Sequence, residues 1–101
     1  MSDSVADLHH ELQRRLHDIR ARAEALSPLD IHARMDAIRG TADRAGLHAM
    51  EGLAHLSSQL ALLPGCRVAT HACLDHAAEA LAARSTSERE AVLAAVAARL
   101  H

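Results

Sequence analysis

An all-α fold is what this sequence predicts, and three observations predict it. The 101 residues include 23 Ala and 15 Leu, both strong helix formers. There is no Phe, Tyr or Trp, and β-branched residues, which strands favour, are few. Apolar residues also recur at spacings of three and four through most of the chain, the period of a helix with one buried face. The expected architecture is one domain over residues 1–101, an antiparallel up-down bundle of five helices at about 4–26, 28–44, 47–63, 66–84 and 87–100. Connections this short favour antiparallel neighbours.

The first helix carries Val5, Leu8, Leu12, Leu16, Ile19, Ala23 and Leu26 as one stripe, with Arg14, Arg15, Asp18, Arg22 and Glu24 on the other faces. Ser27-Pro28-Leu29-Asp30 reads as a stop and restart, with Ser27 as N-cap, Pro28 at the first helical position and Asp30 at the positive helix end. In the second helix Ile31, Met35, Ile38, Ala42 and Ala45 form the core stripe. At 100° per residue, His32, Asp36, Gly40 and Asp43 then share the face turned to water. Gly46 closes this helix or opens the next. The third helix places Leu47, Met50, Leu53, Leu56, Leu60 and Leu63 on the core, and Pro64-Gly65 ends it. Val68, Leu74, Ala78 and Leu81 are the expected core face of the fourth. Ser85 with Glu88, or Ser87 with Glu90, is a capping-box pattern ahead of the fifth, whose stripe is Val92, Val96 and Leu100.

Several classes of function are excluded or disfavoured. No apolar run approaches the roughly 20 residues of a membrane helix, and the N-terminal MSDSVADLHH lacks the basic and apolar regions of a signal peptide. A net charge of −2 and the absence of aromatic side chains argue against a nucleic-acid partner. Cys66 and Cys73 are seven apart, about 10.5 Å along a helix, too far for a disulfide. Free thiols suit a cytoplasmic location, no membrane association is expected, and the chain is expected to be a monomer or a weak dimer.

Nine His residues raise the question of a metal. His32 with Asp36, His71 with Asp75, and Glu51 with His55 stand one helical turn apart, a spacing that suits zinc. No Cys-x-x-Cys or His-Glu-x-x-His accompanies them. Solvated histidines are the expectation, with His71 an interior one, and neither a metal nor another cofactor is expected. A His-rich metal-binding bundle and a general helical interaction module stay open as alternatives. Ser57, Ser58 and Thr70 lie on helices with no nucleophile elbow, and no catalytic residue is assigned. Gly40 and Gly52 fall inside helices, where Gly is unfavourable by about 1 kcal/mol against Ala, so close approach of another group is the expected reason.

The stretch from Met35 to Leu60, MDAIRGTADRAGLHAMEGLAHLSSQL, resembles the histidine-containing phosphotransfer domains of bacterial phosphorelays, and equally the phosphotransfer domain of chemotaxis kinases. The family pattern is a His, a Lys three residues on and a Gly next, followed by Ala, Gly and a Leu-rich helix. Arg39 falls on the Lys, Gly40 on the Gly, and Ala42, Gly46, Leu47, Met50, Leu53 and Leu60 continue the pattern. The phospho-acceptor position is Asp36. The resemblance implies a five-helix signalling domain of a two-component phosphorelay that binds a response-regulator receiver domain or a hybrid histidine kinase without itself carrying phosphate. Asp36 and Arg39 would sit at the contact centre, with His32, Gly40 and Asp43 around them. Phosphotransfer through His32 is the alternative the family suggests.

Overall fold

In a computed structural model, which describes residues 3–83 and 85–100, the chain is all-helical. The described residues form six helices: α1 (Asp3–Arg22), α2 (Pro28–Arg44), α3 (His48–Leu60), α4 (Cys66–Asp75), α5 (Ala77–Ala82) and α6 (Thr86–Arg99). None of them is long and apolar enough to cross a membrane. The expected helix over 66–84 is divided. It is interrupted at His76, whose φ of −104° and ψ of 4° leave the helical range, and its last residue lies outside the described residues.

The local signals at the helix ends act as their chemistry dictates. Ser27 Oγ accepts from the Asp30 amide at 3.1 Å, and the Asp30 carboxylate accepts from the Ser27 amide, which completes a capping box ahead of Pro28. At the far end of α2, Gly46 takes a φ of +72°. Its amide donates to the Asp43 carbonyl and the Leu47 amide to the Ala42 carbonyl, a Schellman closure for which a residue without Cβ is suited. Ser85 caps α6 through the Glu88 amide, so α6 starts at Thr86.

α3 is the hub. It packs most extensively on α2 and also touches α4, α5 and α6, while α1 rests on α2, α4 and α5. A hub must be buried on several faces, and α3 meets that need with small side chains: Ala49, Gly52, Ala54, Ser57 and Ser58 are buried alongside Met50 and Leu53. The core adds Leu12, Leu16, Ile19 and Leu26 from α1 and its following turn, Ile31, Met35, Ile38 and Ala42 from α2, and Val92 and Val96 from α6. These are the sequence stripes, except that the Val5 side chain lies outside the described residues.

Three stripe assignments are corrected. Leu63 is 54% exposed, because α3 ends at Leu60 and residues 61–65 turn out of its register. Val68 is 64% exposed and Ala78 lies at the surface, because α4 and α5 bury a different face, made of Ala69, Ala72, Cys73, Ala77 and Ala80 along with Thr70, Leu74 and Leu81. That face of mostly small residues lets α4 and α5 lie close to α3. A Val at position 68 faces solvent as a consequence.

Candidate functional site

The five residues singled out on α2 divide between two of its faces. Asp36 and Asp43 are exposed, as their angular positions require. Arg39 lies across its own helix surface, and its Nε donates to Asp36 Oδ1 at 3.2 Å. An exposed pair of this spacing contributes roughly 0.3–0.5 kcal/mol, so the guanidinium is cheaply released to another anion. Gly40 is half-buried. The nearest side chain to the place its Cβ would occupy is Arg44, with Nη1 at 3.7 Å, an ordinary contact. Nothing in the described chain needs a glycine there.

His32 does not share the water face. Its ring turns inward between α2 and α3, and Nδ1 donates to the Ser58 carbonyl at 2.7 Å. A carbonyl can only accept, so Nδ1 carries the proton and Nε2 holds the lone pair when the ring is neutral. Sequence angles missed this because α3 approaches α2 closely enough to cover a position lying off the apolar stripe.

A second cluster lies on the other side of Gly40. Thr41 is 3% exposed, and its hydroxyl oxygen accepts from Arg15 Nη1 at 3.3 Å and from Arg44 Nη2 at 3.2 Å. Arg15 comes from α1. It also donates through Nε to Glu11 at 3.0 Å, and Arg14 pairs with the same carboxylate. Arg15, then Arg14, holds the Glu11 carboxyl below its ordinary value. Two guanidiniums that share one oxygen repel each other by about 1–3 kcal/mol at surface dielectric. Among the described residues no carboxylate pairs with Arg44. Arg15 and Arg14 also line a groove of about 460 Å³ between α1 and α2. The groove has Ile19, Ala37 and Ile38 as its floor and an Arg34–Asp18 ion pair at 2.8 Å on its rim.

Elsewhere the titratable groups hold helices together. Asp75, on α4, receives Arg20 from α1 and Arg99 from α6, each at 2.8 Å, and the two guanidiniums lower its carboxyl to about 2. The pairs considered for a metal point to other partners. Asp75 is taken by these arginines, His55 Nε2 contacts the Gln59 amide at 3.3 Å, and His71 leans towards Glu24 at 3.6 Å. His71 is therefore not an interior histidine. Its side chain is partly exposed between α4 and the end of α1. Among the described residues no three His, Cys, Asp or Glu side chains gather for a metal ion. Cys66 and Cys73 are both free thiols, and burial pushes the Cys73 thiol up.

Sequence reasoning missed Arg15, Thr41 and Arg44. One signal was present: Thr41 lies between Ile38 and Ala42 on the buried side of α2, where a hydroxyl needs partners. Which arginines would meet it depends on the register of α1 against α2. Compared with models of known families, with curated proteins and with solved structures, the chain matches none.

Proposed function

We propose that this chain is a signalling domain of the phosphotransfer type whose acceptor position is held by Asp36, and that it binds a response-regulator receiver domain or a hybrid histidine kinase through the outer face of α2 without carrying phosphate. In this reading α4 and α5 act as one kinked element, and the six helices follow the five-helix antiparallel bundle of that class. Asp36 and Arg39 form the contact centre, with Gly40 and Asp43 beside them and His32 behind. Asp36 presents a fixed negative charge where a transfer domain would carry a phosphorylated imidazole, so the chain competes with a genuine transfer partner. No metal or other cofactor is part of this reading.

The observation that carries it is Gly40. A helix-interior glycine is unfavourable by about 1 kcal/mol against Ala, and the space beside it is open, with no internal neighbour nearer than ordinary contact. An external surface that approaches the α2 backbone closely supplies the missing reason. The test is binding of a panel of receiver domains to the wild type and to the Asp36→Ala/Arg39→Ala variant. Binding that the double substitution weakens supports the reading. Binding unaffected by it, or none across the panel, ends it.

His32 supports a second reading. Its Nδ1 bond to the Ser58 carbonyl fixes the tautomer with the lone pair on Nε2, the arrangement a phosphoryl acceptor requires. Acid-labile label on His32 after incubation with phosphorylated receivers, lost in His32→Gln, would favour transfer over simple docking.

A further inference from the structure

The geometry points to a phosphoryl-binding site on the α1/α2 seam, formed by Arg15 and Arg44 where they converge on the hydroxyl of Thr41, with Arg14 beside them. It uses neither Asp36 nor Arg39, the contact centre of the receiver-docking reading, and shares only Gly40 with that face. Three features carry it.

The first is charge. Arg14 and Arg15 share one carboxylate, Glu11, and Arg44 meets Arg15 at Thr41 with no carboxylate of its own among the described residues. The excess is two positive charges in a chain whose overall balance is −2. A phosphoryl group carries about −1.5 to −2 at neutral pH and matches that excess, whereas a single carboxylate leaves half of it uncompensated. Arg39, one turn away, is already matched by Asp36.

The second is the donors that remain. Arg15 uses Nε on Glu11 and one Nη1 hydrogen on Thr41, and Arg44 uses one Nη2 hydrogen on Thr41. Each guanidinium has five N–H groups in a planar fork, so both keep donors for an oxyanion. The Thr41 oxygen, held inside α2, spaces the two forks without neutralising either.

The third is access. Arg44 lies over Gly40, which has no side chain to stand between a ligand and the helix backbone. Arg14 and Arg15 also form one wall of the α1/α2 groove, which Ala37 and Ile38 line from α2. A phosphoryl group seated between the forks would extend its ester substituent over Ile19, Ala37 and Ile38.

The experiment follows the Gly40 and Thr41 amides and the Arg15 and Arg44 Nε–H signals by NMR. Sodium phosphate is titrated against sodium chloride at matched ionic strength, and a phosphoserine peptide is titrated in parallel. The expected result is a saturable shift with at least one phosphate source and not with chloride, weakened about tenfold in Arg44→Gln, while the core amides of Met50 and Leu53 stay in place. Saturation by inorganic phosphate identifies a site for small phosphorylated molecules, and saturation by the peptide alone a site for phosphorylated polypeptide. No saturation by either probe, or an affinity unchanged in both Arg44→Gln and Arg15→Gln, overturns the proposal.

Discussion

The guanidinium of Arg89 occupies the space that a side chain at Gly52 would need. Its Nη2, Nε and Cζ lie 3.0, 3.1 and 3.3 Å from the place of a Cβ there, and its Nε donates to the His48 carbonyl at 3.3 Å. Gly52 thus lets α6 lay an arginine across the first turns of α3. Two opposing effects are expected in Gly52→Ala: a gain of about 1 kcal/mol in helix propensity, and loss of a hydrogen bond contributing about 0.5–1.5 kcal/mol. The single change should be close to neutral. In an Arg89→Ala background, Gly52→Ala should stabilise by about 1 kcal/mol, which a double-mutant cycle in urea measures.

Gly40 behaves differently because nothing crowds it. Gly40→Ala is expected to stabilise the isolated chain by about 0.5–1 kcal/mol, read as a shift in the denaturation midpoint at unchanged slope. The same change is expected to weaken receiver binding if a partner approaches the α2 backbone. Stabilisation with undiminished binding would leave the glycine without the role assigned to it.

Asp75 makes stability depend on pH in a defined window. Its carboxyl is held at about 2 in the fold against an ordinary value of 3.8. A depressed carboxyl contributes stability that is fully present above the ordinary value and is lost as pH falls towards the folded one. The stability gap between wild type and Asp75→Asn should therefore be constant above pH about 4 and close on approach to pH 2. The group is exposed, so added salt should narrow the gap at every pH. A gap that persists through acid would mean that the two arginines are not its source.

Thr70 is 2% exposed, and among the described residues its hydroxyl has no hydrogen-bond partner. A buried hydroxyl left without a partner is unfavourable by about 1–3 kcal/mol. Thr70→Val keeps the shape and removes the penalty, so thermal unfolding should shift upward. A downward shift would mean that the hydroxyl finds a partner in solution.

Local chemistry sets the helical class and the boundaries of α2, and it narrows the cap of α6 to Ser85 or Ser87, between which the structure selects Ser85. Ser27, Pro28 and Asp30 act within one turn, Gly46 supplies its own backbone conformation, and Ser85 reaches a neighbouring amide. The sequence by itself also determined most of the core, since a period of three to four brings Leu12, Ile19, Met35, Ile38, Met50 and Val96 inside whatever the arrangement of the helices. Tertiary structure alone decided which face of α4 is buried. Ala69, Ala72 and Cys73 can lie closer to α3 than Val68 could, and that depends on the surface opposite. It likewise decided that His32 turns inward to Ser58, and that Arg15 and Arg44, 29 positions apart in sequence, meet on Thr41. Such pairings are set by the register of one helix against another, and register is fixed by interlocking side chains that no single helix carries.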